Sequence, residues 1–126
     1  MAMRESGEMY LETIYILSQS SPAVRSVDVG EYMGFSKPSV SRALGILKKA
    51  GYAETDAVGN IKLTQAGREK ASRIYERHTV LTRMLIGLGV DEKTAADDAC
   101  RIEHYLSDKT FEAIKAHMQK YGKQEG

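Results

Sequence analysis

The chain holds a single cysteine, Cys100, followed within four positions by Glu103 and His104. On a helix, i, i+3 and i+4 share one face, within about 100° of arc at 100° per residue. Three donor types then point the same way. Met9 and Glu12 make the same i, i+3 step near the N-terminus, and His78 lies on the apolar stripe of a long helical pattern. Thiolate, thioether, imidazole and carboxylate together suit a divalent transition metal, whereas calcium and magnesium take oxygen donors. Each residue also has a plainer role: Met9 as core filler, His78 as a satisfied core histidine, Cys100 as a small buried side chain, Glu103 as solvated surface. A cysteine, a glutamate and a histidine are also the parts of a nucleophilic or zinc-hydrolase site. The trio brings no evident oxyanion hole and short helices give little cleft for a substrate, so no enzyme is expected.

These residues must be positioned by helices. Met9, Tyr10, Thr13, Ile14 and Leu17 recur at helical spacing, which predicts a helix over 6–19 with Ser6 as N-cap. The segment SSPAVR breaks it. SVDVGEYMG predicts a short helix with Ser26 as cap and Gly34 past its end. In FSKPSVSRALGILKKAG, Ser36 can cap, Pro38 sits in the first turn and Gly51 stops the helix. YAETD and IKLT are β-type runs around AVGN, where Gly59 and Asn60 tolerate the positive φ of a hairpin. A long helix then starts at the cap Thr64, with Ala71, Ile74, His78, Leu81, Leu85 and Leu88 on one stripe, and ends at Gly89. A helix carrying the Cys100 trio begins among acids, a last helix is capped by Asp108, and the tail GKQEG is expected to fray. The order predicts a mainly α protein: a winged helix-turn-helix followed by a helical dimerisation domain.

The formal charge of +1 hides an asymmetry. Residues 25–50 hold five basic side chains against two acidic ones, and residues 91–112 hold seven acidic against three basic. Different partners are implied for the two regions. DNA fits the basic one: the second helix of the pair would enter the major groove, with Ser36, Ser39 and Arg42 reaching base edges. Pro38 belongs to the same helix start, Lys37, Lys48 and Lys49 are placed for phosphates, and Lys62 of the wing would lie along the backbone. Arginine pairs bidentately with guanine, worth roughly 1–3 kcal/mol of discrimination, so Arg42 carries most weight. Winged helices also serve as protein-binding modules; the serine-rich, basic helix start argues for DNA.

At 126 residues the chain suffices for one compact domain or two small ones sharing a core. No apolar run approaches the roughly 20 residues of a membrane span, and MAMRESGEMY lacks the features of a signal peptide. The expected compartment is the cytoplasm, with no membrane partner, no organic cofactor and Cys100 reduced, since a lone cysteine has no internal partner.

The blocks GEMYLETIY, SKPSVSRAL, LTQAGREKA, YERHTVLTRML and DDACRIEHYLSD, in this order over nearly the whole chain, resemble the DtxR/MntR family of iron- and manganese-dependent repressors. The resemblance implies a winged-helix DNA-binding domain over 1–73 and metal-binding and dimerisation helices over 74–126. It also implies a homodimer on a palindromic operator. Met9, Cys100, Glu103 and His104 match the iron-type primary site. Glu12 and His78 match manganese-type positions, where carboxylates replace Met9 and Cys100. An ancillary iron-type site would need an acid and a histidine where this sequence has Thr82 and Ala96, so a single hybrid site is expected. Arg42 departs from the glutamine common in the iron type. The chain is too short for the SH3-like domain usual in the iron branch. Its length and Glu12 suggest Mn(II), while thiolate and thioether donors suggest the softer Fe(II), which is favoured. A winged-helix regulator that senses no metal is the alternative of another class. For the dimer, the apolar residues Ile102, Tyr105, Leu106, Phe111, Ile114 and Met118 are the expected contacts.

Overall fold

A computed structural model of the chain describes residues 5–121. They form six helices and a two-stranded sheet in the order α1 (Glu5–Ser20), α2 (Ser26–Met33), α3 (Lys37–Lys49), β1 (Ala53–Thr55), β2 (Ile61–Leu63), α4 (Gln65–Gly87), α5 (Glu92–Ile102) and α6 (Asp108–Tyr121). The chain divides into two compact units between Ser72 and Arg73, inside α4. The first is a winged helix-turn-helix and the second is helical.

In the first unit, α1 begins at Glu5, before the expected cap Ser6. Leu11, Ile14, Val29, Val40 and Leu47 are buried at helical spacings, and each such side chain stabilises the fold by roughly 1.5–3 kcal/mol. The N-cap of α2 is Arg25, one residue earlier than expected: its backbone is extended and its N–H donates to Asp28 Oδ2 at 2.9 Å. The turn into α3 needs Gly34, whose φ of 73° is costly for a residue with a Cβ. Ser36 caps α3 as expected, accepting from the Ser39 N–H, and Pro38 occupies the first turn.

The wing is antiparallel, with Ala53 opposite Leu63, Glu54 opposite Lys62 and Thr55 opposite Ile61. Only Gly59 of its turn has positive φ; Asn60 does not, and is held instead by Asp56 Oδ1, which accepts from the Val58 and Asn60 N–H groups. A third extended piece lies where the sequence reads only as a break: the Ile61 N–H donates to Val24 O at 2.7 Å. Thr64 joins wing to helix, its hydroxyl donating to Gly51 O and accepting from the Gly67 N–H. Gly67 is required by space, since a Cβ there would lie 2.0 Å from Tyr52 O.

In the second unit the stripe of α4 is buried at Ile74 and Leu81, but Leu88 lies beyond the helix end and is exposed. Asp91 caps α5 by accepting from the Thr94 N–H. Ala95, Ala99 and Phe111 complete the buried residues of α5 and α6. Ser107, not Asp108, caps α6: its hydroxyl accepts from the Thr110 N–H at 3.1 Å, while Asp108 is the first helical residue. The tail GKQEG falls outside the described residues.

Candidate metal centre and nucleic-acid interface

The helix α5 stops at Ile102, earlier than the shared-face reading of Cys100, Glu103 and His104 requires. Glu103 is its C-cap and His104 lies in the turn that follows, where the Tyr105 and Leu106 N–H groups both donate to Ile102 O. The turn still gathers the trio. One ligand atom from each of Cys100, Glu103 and His104 lies within 4.8 Å of the others.

Glu103 is the centre of this arrangement, and it is buried rather than solvated. Its Oε2 is 3.0 Å from His78 Nδ1 of α4. A carboxylate only accepts, so the imidazole donates through Nδ1. Its Oε1 is 3.4 Å from His104 Nε2, close enough for charge interaction but out of hydrogen-bond alignment, and among the described residues it accepts no hydrogen bond. A buried carboxylate oxygen without a donor is costly unless a cation supplies the missing partner. The donors present fit one: a thiolate, a carboxylate and imidazole are transition-metal ligands, and fully oxygen-liganded calcium or magnesium does not suit them.

Met9 and Glu12 belong to the first unit, on α1, Met9 half-buried and Glu12 buried. Thr82 donates through its hydroxyl to His78 O, one turn earlier in α4.

Arg77, not among the residues expected from the sequence, contacts the turn that carries Glu103 and His104. Its Nη1 donates to Glu103 O at 3.0 Å and to Leu106 O at 2.7 Å, and its Nη2 pairs with Asp108 Oδ1. The guanidinium also sits over the Phe111 ring, 5.2 Å from the centroid. No local signal marks it, because its partners lie 26 and more residues away. Of the expected dimer contacts, Phe111 is buried within its own unit and Tyr105 is 76% exposed.

On the first unit, Ser36, Lys37, Pro38, Arg42, Lys48, Lys49 and Lys62 are exposed and Ser39 is half-buried. They are not equally available. Ser36 Oγ donates to Ser39 Oγ at 3.0 Å while capping, and Lys48 Nζ donates to Thr55 Oγ1 at 3.0 Å, tying α3 to the wing. The wing tip is fixed from below by Arg25, whose Nη2 donates to Val58 O at 2.6 Å. Among the described residues no helix is long and apolar enough to cross a membrane.

A winged helix-turn-helix joined to a helical unit with a transition-metal donor cluster defines a metal-responsive DNA-binding regulator. Residues 2–59 match the model of the iron dependent repressor N-terminal DNA binding domain, and residues 64–124 that of the iron dependent repressor metal binding and dimerisation domain. An HTH-type transcriptional regulator of Methanocaldococcus jannaschii is 32% identical over 121 residues, covering 94% of this chain and 97% of that one. The transcriptional regulator MntR of Escherichia coli O6:H1 is 33% identical over 119 residues, covering 94% and 77%. A solved manganese-dependent transcriptional repressor, in complex with manganese, superposes with a TM-score of 0.82 at 27% identity, over 90% of this chain and 52% of that one. This chain spans about half the length of that repressor. The chain belongs to the DtxR/MntR family of metal-dependent transcriptional repressors, whose members are regulators rather than enzymes.

Proposed function

We propose that this protein is a homodimeric, cytoplasmic repressor that binds a palindromic operator when loaded with Fe(II). Residues 1–73 read DNA, and residues 74–126 bind metal and dimerise. Cys100, Glu103, His104 and His78 hold the ion together with Met9 and Glu12 of α1, so that binding fixes the winged unit relative to the dimer. The two recognition helices then match successive major grooves, about 34 Å apart. Ser36, Lys37, Pro38, Ser39, Arg42, Lys48, Lys49 and Lys62 form the DNA surface, with Arg42 reading a base. No organic cofactor takes part.

The observation that carries this reading is the gathering of Cys100, Glu103 and His104 around a buried carboxylate oxygen that accepts no hydrogen bond. A gel-shift titration under anaerobic conditions tests it. Fe(II) raises operator affinity and a chelator abolishes the gain; identical affinity with and without chelator defeats the reading. Coupling is reciprocal, so operator DNA tightens metal binding by the same factor.

Mn(II) is the second reading, favoured by Glu12 and by the 33% identity to a regulator named MntR. Against it stands Cys100, because a thiolate prefers the softer ion. The same titration separates them: the metal that gives the larger gain in operator binding at equal free concentration is the signal.

A further inference from the structure

We propose that Arg77 is the positioning residue of the metal centre. It fixes the turn that presents Glu103 and His104 and ties that turn to the helix that presents His78. The inference rests on the metal-site reading above and adds a residue that touches no metal.

The last carbonyls of a helix have no intrahelical donor and carry the negative end of its dipole. In α5 the chain must end its helix and still hold two ligand side chains, because Glu103 is the C-cap and His104 follows it. The Arg77 guanidinium meets this need from α4. One nitrogen bridges Glu103 O and Leu106 O, the two ends of the turn, at 3.0 and 2.7 Å. The other is held by Asp108 in the first turn of α6. A planar fork with fixed donor directions can make these three bonds at once; a lysine ammonium, a single point charge, cannot replace it.

Arg77 and His78 are consecutive, so one stretch of α4 sets both the backbone of Glu103 and the side chain that Glu103 meets. Any rotation of the turn that moves Glu103 O away from Arg77 also moves Oε2 away from His78 Nδ1. Phe111 beneath the guanidinium and its low exposure keep the rotamer in place. The carboxylate and imidazole of the turn are therefore set before metal arrives. This preorganisation tightens binding without adding a ligand.

The test compares the unaltered chain with Arg77→Lys, Arg77→Ala and Asp108→Asn, using Co(II) as a spectroscopic probe and hydrogen exchange on the metal-free proteins. The expected result is a 10- to 100-fold loss of Co(II) affinity in Arg77→Ala, a typical cost for an outer-shell partner, with an altered ligand-field spectrum. Arg77→Lys loses nearly as much while retaining the helical circular dichroism of the parent, and Asp108→Asn loses less. In the metal-free variants, exchange quickens at Glu103–Leu106 but not at the capped start of α5. Co(II) affinity and spectrum unchanged in folded Arg77→Lys overturn the inference while the metal site stands. Failure of the unaltered chain to bind Co(II) overturns the metal-site reading and the inference with it.

Discussion

His78 Nδ1 and Glu103 Oε2 meet at 3.0 Å although 25 positions separate them, one on the exposed-to-buried flank of α4 and the other at the end of α5. The contact brings the middle of the chain to the Cys100 segment. It leaves Glu103 Oε1 as the buried acceptor that a cation would complete.

Replacing that carboxylate should therefore act on the loaded protein far more than on the metal-free one. Divalent metal at 100 times its Kd is expected to stabilise the unaltered chain by about 2.7 kcal/mol, and Glu103→Gln to abolish the gain. Thermal melts with and without Co(II) check this. A full metal-induced rise in the variant would contradict it.

Arg42 is exposed and serves no described contact within its helix, so Arg42→Ala should change stability by less than about 0.5 kcal/mol. Operator affinity should fall by about 1–3 kcal/mol, with specificity relaxed at one base pair. Lys37→Ala and Lys49→Ala should instead weaken binding to all sequences and each lower the salt slope by about 1. Fluorescence anisotropy on operator variants across a salt series distinguishes the two behaviours.

Gly67→Ala should destabilise the winged unit. The added Cβ would lie 2.0 Å from Tyr52 O and 2.9 Å from its carbonyl carbon, both backbone atoms that cannot rotate away. Overpacking of this kind costs about 1–3 kcal/mol, read as a lower urea midpoint at unchanged slope.

The cap of α5 gives a pH dependence of definite sign. Hydrogen bonds from Thr94, chiefly its backbone N–H, hold the Asp91 carboxyl below its ordinary 3.8. A depressed folded value means that its stabilisation is complete above 3.8 and is lost as pH falls through the lower folded value. Melting of Asp91→Ala against the parent should show a gap that is constant near neutrality and closes in acid. A gap that widens on acidification would refute the assignment.

Most of the fold was legible in the sequence because its signals are local. Ser36, Pro38, Gly34 and Gly51 mark the helix ends of the helix-turn-helix by chemistry that acts within a few residues, and alternation around Gly59 marks the wing. The adjacent caps were misplaced for the same reason. At Ser26 and Ser107 two polar residues stand side by side, and only the path of the chain chose Arg25 and Ser107 as caps. Residue types and family-like blocks also singled out Cys100, Glu103, His104 and His78, side chains that the fold brings near one another.

What the sequence by itself determined was which elements form and which side chains carry metal-donor chemistry, since both follow from short-range pattern and residue type. Only the tertiary structure decided that Glu103 is buried, that α5 ends before it, that Val24 pairs with the wing, and that Arg77 holds the turn after α5. Each of these depends on groups far apart along the chain, brought together by burial of apolar side chains that is nearly indifferent to which polar partners then meet.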